Sequence, residues 1–186
     1  MPNARFIDSL KNPRIPGFEW QEPEDEGDRK MFKDILEHGC QVIAVEADAH
    51  GPDFSYSVGL YLNFLHPEIL IMGMSSQACH KAINQICREA AAGKKLNEGG
   101  ERSDLFDVPR PIRFVFVPKV RYVDYLGYAC WFYRSLLFRT GPPMEHKFPV
   151  LQALWPDKNL FYPDDSRCDQ IVRKAQTLVA QPTPNS

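Results

Sequence analysis

The sequence lacks most of the signatures by which a function is read at sight. No GxSxG elbow, Walker A loop, HExxH helix or GxGxxG turn occurs, which removes the commonest recognisable hydrolase, metalloprotease and nucleotide sites. The five cysteines (Cys40, Cys79, Cys87, Cys130, Cys168) have no CxxC spacing and are odd in number, so neither a zinc knuckle nor a full disulfide framework is indicated. Met1 to Lys11 holds no apolar run long enough for a signal-peptide core. Reduced thiols in a cytoplasm are therefore the expectation. A basic surplus is also missing: 22 Lys and Arg stand against 24 Asp and Glu, a formal charge of −2. That balance argues against a nucleic-acid partner.

Long hydrophobic runs are missing too. The least charged stretch, 54–80, has Glu68 as its only charged residue, yet Ser55, Ser57, Asn63, His66 and Pro67 interrupt it. No segment approaches the ~20 apolar residues of a spanning helix, so no membrane partner is expected. What is present is ordinary globular usage, 44% hydrophobic and 25% charged, in a chain of 186 residues. One domain of that size buries roughly 70% of its unfolded surface, and a core forms without staples.

Proline marks the ends. Four of the sixteen fall within the first 23 residues and two within the last five. Residues 1–27 read as an acidic, proline-rich arm that Phe18 and Trp20 pin to the body, 28–160 as the core domain, 161–180 as a C-terminal helix and 181–186 as a disordered tail. Within the core, Met31, Phe32, Ile35 and Leu36 predict a helix over 28–38 that Gly39 closes. Strands are predicted over 40–47, 54–62, 68–74, 111–118 and 148–155, and helices over 76–93 and 120–134. Short loops join sequential strands, so the expectation is an α+β fold: a largely antiparallel sheet of about five strands packed by helices, in a single domain.

Three constellations could carry chemistry. The tripeptide His66-Pro67-Glu68 joins two apolar strands, and an imidazole beside a carboxylate there suits ligand binding or proton transfer. The same residues also make a turn in which Pro67 fixes φ and His66 bonds the backbone. The strand before it carries Ser55, Ser57 and Gly59 on one face, small enough to admit something to the backbone. Six large rings between Tyr122 and Tyr133 exceed one helix face, so Tyr125, Tyr128 and the following Arg134 are candidates to meet a planar or anionic ligand. Glu46, Asp48 and His50 alternate and are weak candidates for a divalent metal, but a solvated strand end gives the same pattern and no metal is expected. Cys79 and His80 diverge by about 100° on a helix and do not form a nucleophile pair.

Several ordered motifs carry a resemblance. Glu37-His38-Gly39, then GPDFSYSVGL (51–60), then HPEILI (66–71) and Gly73, then YLGYACWFYR (125–134) and PVLQALWPD (149–157) resemble an uncharacterised bacterial family catalogued as domain of unknown function 4262. The resemblance runs from about Asp34 to Asp157 and implies a bacterial, cytoplasmic domain with no assigned activity.

Two readings follow. The first is a non-enzymatic binding or protein-interaction domain, of accessory or immunity type, with a protein partner. The second is a small enzyme or cofactor-binding domain. Its pocket would be built from Ser57, His66, Glu68, Tyr125, Tyr128 and Arg134, where the His66 turn meets the aromatic helix 122–134. A flavin-sized planar ligand would suit those rings, but no particular cofactor is specified.

Overall fold

Alternation of side chains along a strand decides which layer each residue joins. The third strand shows it most plainly. Glu68–Met72 is buried along its whole length, as the apolar run that follows Glu68 requires. Ile69 and Ile71 enter one layer, while Leu70 and Met72 enter the other. The computed structural model describes residues 15–49, 51–137, 146–177 and 179.

In chain order the elements are α1 (Glu26–His38), β1 (Gln41–Val45), β2 (Phe54–Val58), α2 (Leu60–Phe64), β3 (Glu68–Met72) and α3 (Ser76–Ala91). They continue with β4 (Glu101–Arg102), β5 (Ile112–Phe116), α4 (Tyr122–Tyr125), α5 (Gly127–Phe132), β6 (Val150–Leu154) and α6 (Gln170–Ala175). Six strands form one sheet in the order β1-β2-β3-β6-β5-β4. Every neighbouring pair is antiparallel except β3 and β6. The α+β class with a largely antiparallel sheet holds. The sixth strand is the two-residue β4, which pairs Glu101 with Arg113 inside a polar loop and offers no apolar pattern to read.

One layer packs α1, α4 and α5 on Tyr56, Val58, Leu70, Met72 and Val150. The other packs α3 on Val42, Ile69, Ile71, Leu151 and Phe114. Ile15 and Phe18 are buried in the first layer, and Trp20 packs beside them, so the core begins well before residue 28. Residues 1–14 and 181–186, which include most of the expected arm and the tail, lie outside the described residues.

Three elements differ from their expected form. The strand expected to reach Leu62 stops at Val58, because Gly59 turns the chain with φ 111° and α2 follows at once. A Cβ on Gly59 would lie 2.9 Å from Ile35 Cγ2 and 3.1 Å from the Gly39 carbonyl, so the turn requires glycine. The aromatic helix over 120–134 is two short helices, α4 and α5, broken at Leu126 (φ −123°, ψ 36°) and flanked by 3₁₀ turns. The C-terminal helix shrinks to Gln170–Ala175. Beyond it the chain runs beside β6, where Gln152 donates to the Thr177 carbonyl (2.8 Å) and accepts from Val179 N–H (3.1 Å). Among the described residues no helix is long and apolar enough to cross a membrane.

Candidate functional site

The corner between β2 and β3 concentrates the buried polarity. The paired register of these strands ends at Tyr56 and Leu70. One step further Ser57 Oγ takes the Ile69 N–H (2.8 Å) in place of a backbone carbonyl and donates to Glu68 Oε2 (2.5 Å). Glu68 Oε1 accepts from Gly59 N–H (2.9 Å), Tyr61 N–H (3.1 Å) and the Tyr133 hydroxyl (2.5 Å). That hydroxyl also receives Gly59 N–H (3.2 Å) and Leu62 N–H (3.3 Å). The start of α2 has no side-chain cap, and its first N–H groups are the orphans this cluster satisfies. Burial pushes the Glu68 carboxyl above the ordinary carboxylate range, against the pull of its four donors. Burial and the neighbouring Glu68 carboxyl raise the Tyr133 hydroxyl far above the usual phenol value. The cluster is a clamp that holds strand, turn and α5 together.

His66 is equally enclosed, at 1% exposure. Its Nδ1 lies 2.7 Å from the Pro67 carbonyl, and its Nε2 accepts the Leu96 N–H at 3.1 Å. Those partners place the proton on Nδ1 and leave the ring neutral. Burial lowers its pKa from the ordinary imidazole value. Both ring nitrogens bond backbone, the turn-forming reading of this tripeptide.

The six candidate ligand residues do not converge on one pocket. Ser57 and Glu68 meet. His66 bonds Leu96, which packs against the α3 layer, whereas Arg134 is exposed in the 3₁₀ turn that follows α5 on the other face. Tyr128 N–H donates to the Tyr56 hydroxyl (3.3 Å) and its ring stacks edge-on to Trp131. Tyr125 turns toward Arg121, which donates to its hydroxyl (3.2 Å). The space offered by Ser55 and Ser57 is taken by α3, leaving both serines at 1% exposure or less. Glu46 and Asp48 border a cavity described below, and His50 lies outside the described residues. Among the described residues no group of three His, Cys, Asp or Glu side chains could hold a metal ion.

Two cavities flank β1 instead. The first, of about 620 Å³, opens between the end of α1 and α3 and is lined by Asp34, Glu37, His38, Val42, His80 and Arg88. Cys40 and Cys87 also border it, and Cys87 Sγ lies 3.3 Å from the His38 carbonyl. The neighbouring Cys87 thiol and burial hold Cys40 protonated. Sequence reasoning missed this pairing because 47 residues separate the two thiols and no local spacing announces it. The second cavity, of about 340 Å³, lies on the opposite face and is bordered by Glu46, Asp48, Phe54, Arg121, Asp124 and Tyr125.

Between them β1 is, among the described residues, the outermost strand and pairs only with β2. Among the described residues no backbone hydrogen bond reaches its outer side. Its side chains become more exposed toward Val45. The opposite sheet edge, β4, is only two residues long.

The family model for a domain of unknown function, DUF4262, matches residues 34–169, from within α1 to the threshold of α6. No curated protein and no solved structure matches the chain. The chain belongs to the DUF4262 family.

Proposed function

We propose that this member of the DUF4262 family is a protein-interaction domain, of accessory or immunity type, that takes an extended segment of its partner onto the free edge of β1. The observation that carries the reading is the five-residue edge strand, whose outer backbone donors and acceptors meet no strand among the described residues. Such an edge is a template for strand addition, and proteins that do not use one usually shorten, cover or charge it. None of the five residues Gln41–Val45 is charged or proline. Support also comes from the interior, where the polar atoms of Ser57, His66 and Glu68 are consumed by the fold rather than turned to a ligand. The five free thiols support a reducing, cytoplasmic setting.

The test is an array of synthetic octapeptides probed with the full chain, followed by amide hydrogen exchange. A binding octapeptide is expected to slow exchange of the outward β1 amides at least tenfold and to lose binding when alternate residues along one edge are N-methylated. If no octapeptide binds, or a bound one leaves the β1 amides unchanged, strand addition at β1 is wrong.

A further inference from the structure

Two of the five thiols are brought together by the fold. α1 ends at Gly39, which is left-handed (φ 95°), and Cys40 follows immediately before β1. A Cβ on Gly39 would stand 3.4 Å from Cys87 Sγ and 2.5 Å from Phe64 Cζ. The missing side chain therefore lets α3 close onto this turn. There Cys87 Sγ donates to the His38 carbonyl at 3.3 Å, and the Cys40 thiol lies within hydrogen-bonding reach of it. Both residues are 4% exposed, and both border the cavity of about 620 Å³ between α1 and α3.

The other thiols have different surroundings. Cys79 lies about two helical turns from Cys87 along α3 and meets the Met74 carbonyl (3.5 Å). Cys130 packs on the opposite layer, and Cys168 meets the Asp169 carbonyl (3.7 Å). The cavity supplies what the pair needs in order to react. It gives a small oxidant a path to the two sulfurs, and His38 and His80 in its wall can take up a proton that a thiol gives up.

We infer that Cys40 and Cys87 form a reversible disulfide, closed by a hydroperoxide that enters this cavity and reopened by thiol reductants. The Cys87 thiol and burial hold Cys40 protonated, so the first attack falls to Cys87. Its thiolate sulfur attacks one peroxide oxygen and the O–O bond breaks. One water leaves, and Cys87 becomes a sulfenic acid. The Cys40 sulfur then attacks the Cys87 sulfur. The S–S bond forms, the S–OH bond breaks, and the hydroxide leaves with the Cys40 proton as a second water. Two thiols lose two electrons and two protons, and one hydrogen peroxide becomes two waters. Two molecules of glutathione reverse the bond and are themselves oxidised to a disulfide. Disulfides in a reducing compartment are usually transient ones of this kind, and both thiols are free in this structure. The bond ties the head of β1 to α3 whether or not a partner occupies the strand edge.

The test is hydrogen peroxide treatment of the folded full chain, followed by intact mass, peptide mapping and melting. A mass loss of two hydrogens is expected, mapped to a Cys40–Cys87 peptide pair and reversed by reduced glutathione. The oxidised chain should melt higher by on the order of 5–10 °C, because the bond closes a long loop in the unfolded state. Cys40→Ala should lose the bridge and leave a Cys87 sulfenic acid that dimedone traps. If that variant does not fold, the wild-type map decides alone. A bridge mapped to another pair, Cys40 and Cys87 still free, or Cys87 carried on to sulfinic acid in the wild type overturns the inference. So does an oxidised chain that melts at or below the reduced one, because the native structure would then not accept the bond.

Discussion

Replacing Glu68 by leucine tests whether the polar corner holds the fold together. The side chain is fully buried, and its carboxylate is the acceptor for two backbone N–H groups and two hydroxyls. In Glu68→Leu, Gly59 N–H keeps the Tyr133 hydroxyl as a partner. Tyr61 N–H, the Ser57 hydroxyl proton and the Tyr133 hydroxyl proton lose theirs. Each buried donor left unpaired costs about 1–3 kcal/mol. Removing a desolvated carboxyl returns part of that, so the net loss should be about 3–5 kcal/mol. For a domain of this length that is a fall on the order of 10 °C in melting temperature. Urea titration should show the midpoint falling with the slope unchanged. Tyr133→Phe removes one of the donors, and a double-mutant cycle with Glu68→Leu should give a coupling above about 1 kcal/mol. A loss below 1 kcal/mol, or a gain, would mean that the cluster is a replaceable polar inclusion rather than a clamp.

The same residue sets a pH dependence whose sign follows from its surroundings. Burial raises the folded-state pKa of Glu68 above its unfolded value. Its contribution is therefore fully present below the unfolded pKa and is lost as pH rises through the folded one. Glu68→Gln resembles the protonated acid in shape and does not titrate. Wild type minus variant stability should be greatest in acid and should shrink as pH rises. A difference that grows with pH would show that the four donors outweigh burial.

Three further outcomes can be checked by the same denaturation assays. Ile71→Ala, in the fully buried β3 beneath α3, should cost about 2–5 kcal/mol, and a loss under 1 kcal/mol would contradict its burial. Gly59→Ala should cost about 2–4 kcal/mol, because the backbone sits at φ 111° and the added carbon would meet Ile35; a neutral effect would mean the turn relaxes. His66 has a folded-state pKa lowered chiefly by burial, so its contribution is present above the ordinary imidazole pKa and lost as pH falls through the folded value. Nitrogen NMR should find the proton on Nδ1 and a titration midpoint below that of an exposed histidine. A midpoint at or above the ordinary value would overturn the assignment.

Much of the architecture was legible because packing and periodicity agree. The 68–72 strand is apolar at every position after Glu68, and a strand covered on both faces needs that. In α3, Cys79, Ile83, Ile86 and Ala90 follow the helical repeat, and Ser75 accepts the Ala78 N–H as its cap. The failures came where a local signal was overridden by a distant one. Alternation continued past Val58 on paper, but the approach of Ile35 and Gly39, some twenty residues earlier, forces Gly59 out of the strand. The break at Leu126 has no proline to announce it. The end of α6 is decided by Gln152, which competes for the backbone at Thr177 and Val179. Long-range side-chain competition of this kind leaves no periodic trace.

The candidate site is harder to read in the sequence for a related reason. Ser57, His66 and Glu68 attracted notice as polar residues in an apolar stretch, and such residues do mark many binding sites. Here the chain leaves β2, makes one short helix and enters β3 within ten residues, so several backbone N–H groups are buried with no ladder to join. Ser57 answers for Ile69, Glu68 for Gly59 and Tyr61, and His66 for Leu96. A buried polar side chain is free for a ligand only in excess of such demands, and at this corner nothing is left over. Among the described residues, hydrogen-bonding capacity without a partner lies at the rim, along the outer side of β1, in a stretch whose sequence, QVIAV, looks like any half-buried strand. Only the sheet order shows that β1 has no neighbour beyond it among the described residues, and sheet order depends on contacts between β3 and β6 across some eighty residues of chain. The property most useful for binding therefore belongs to the assembled sheet, not to the residues that display it.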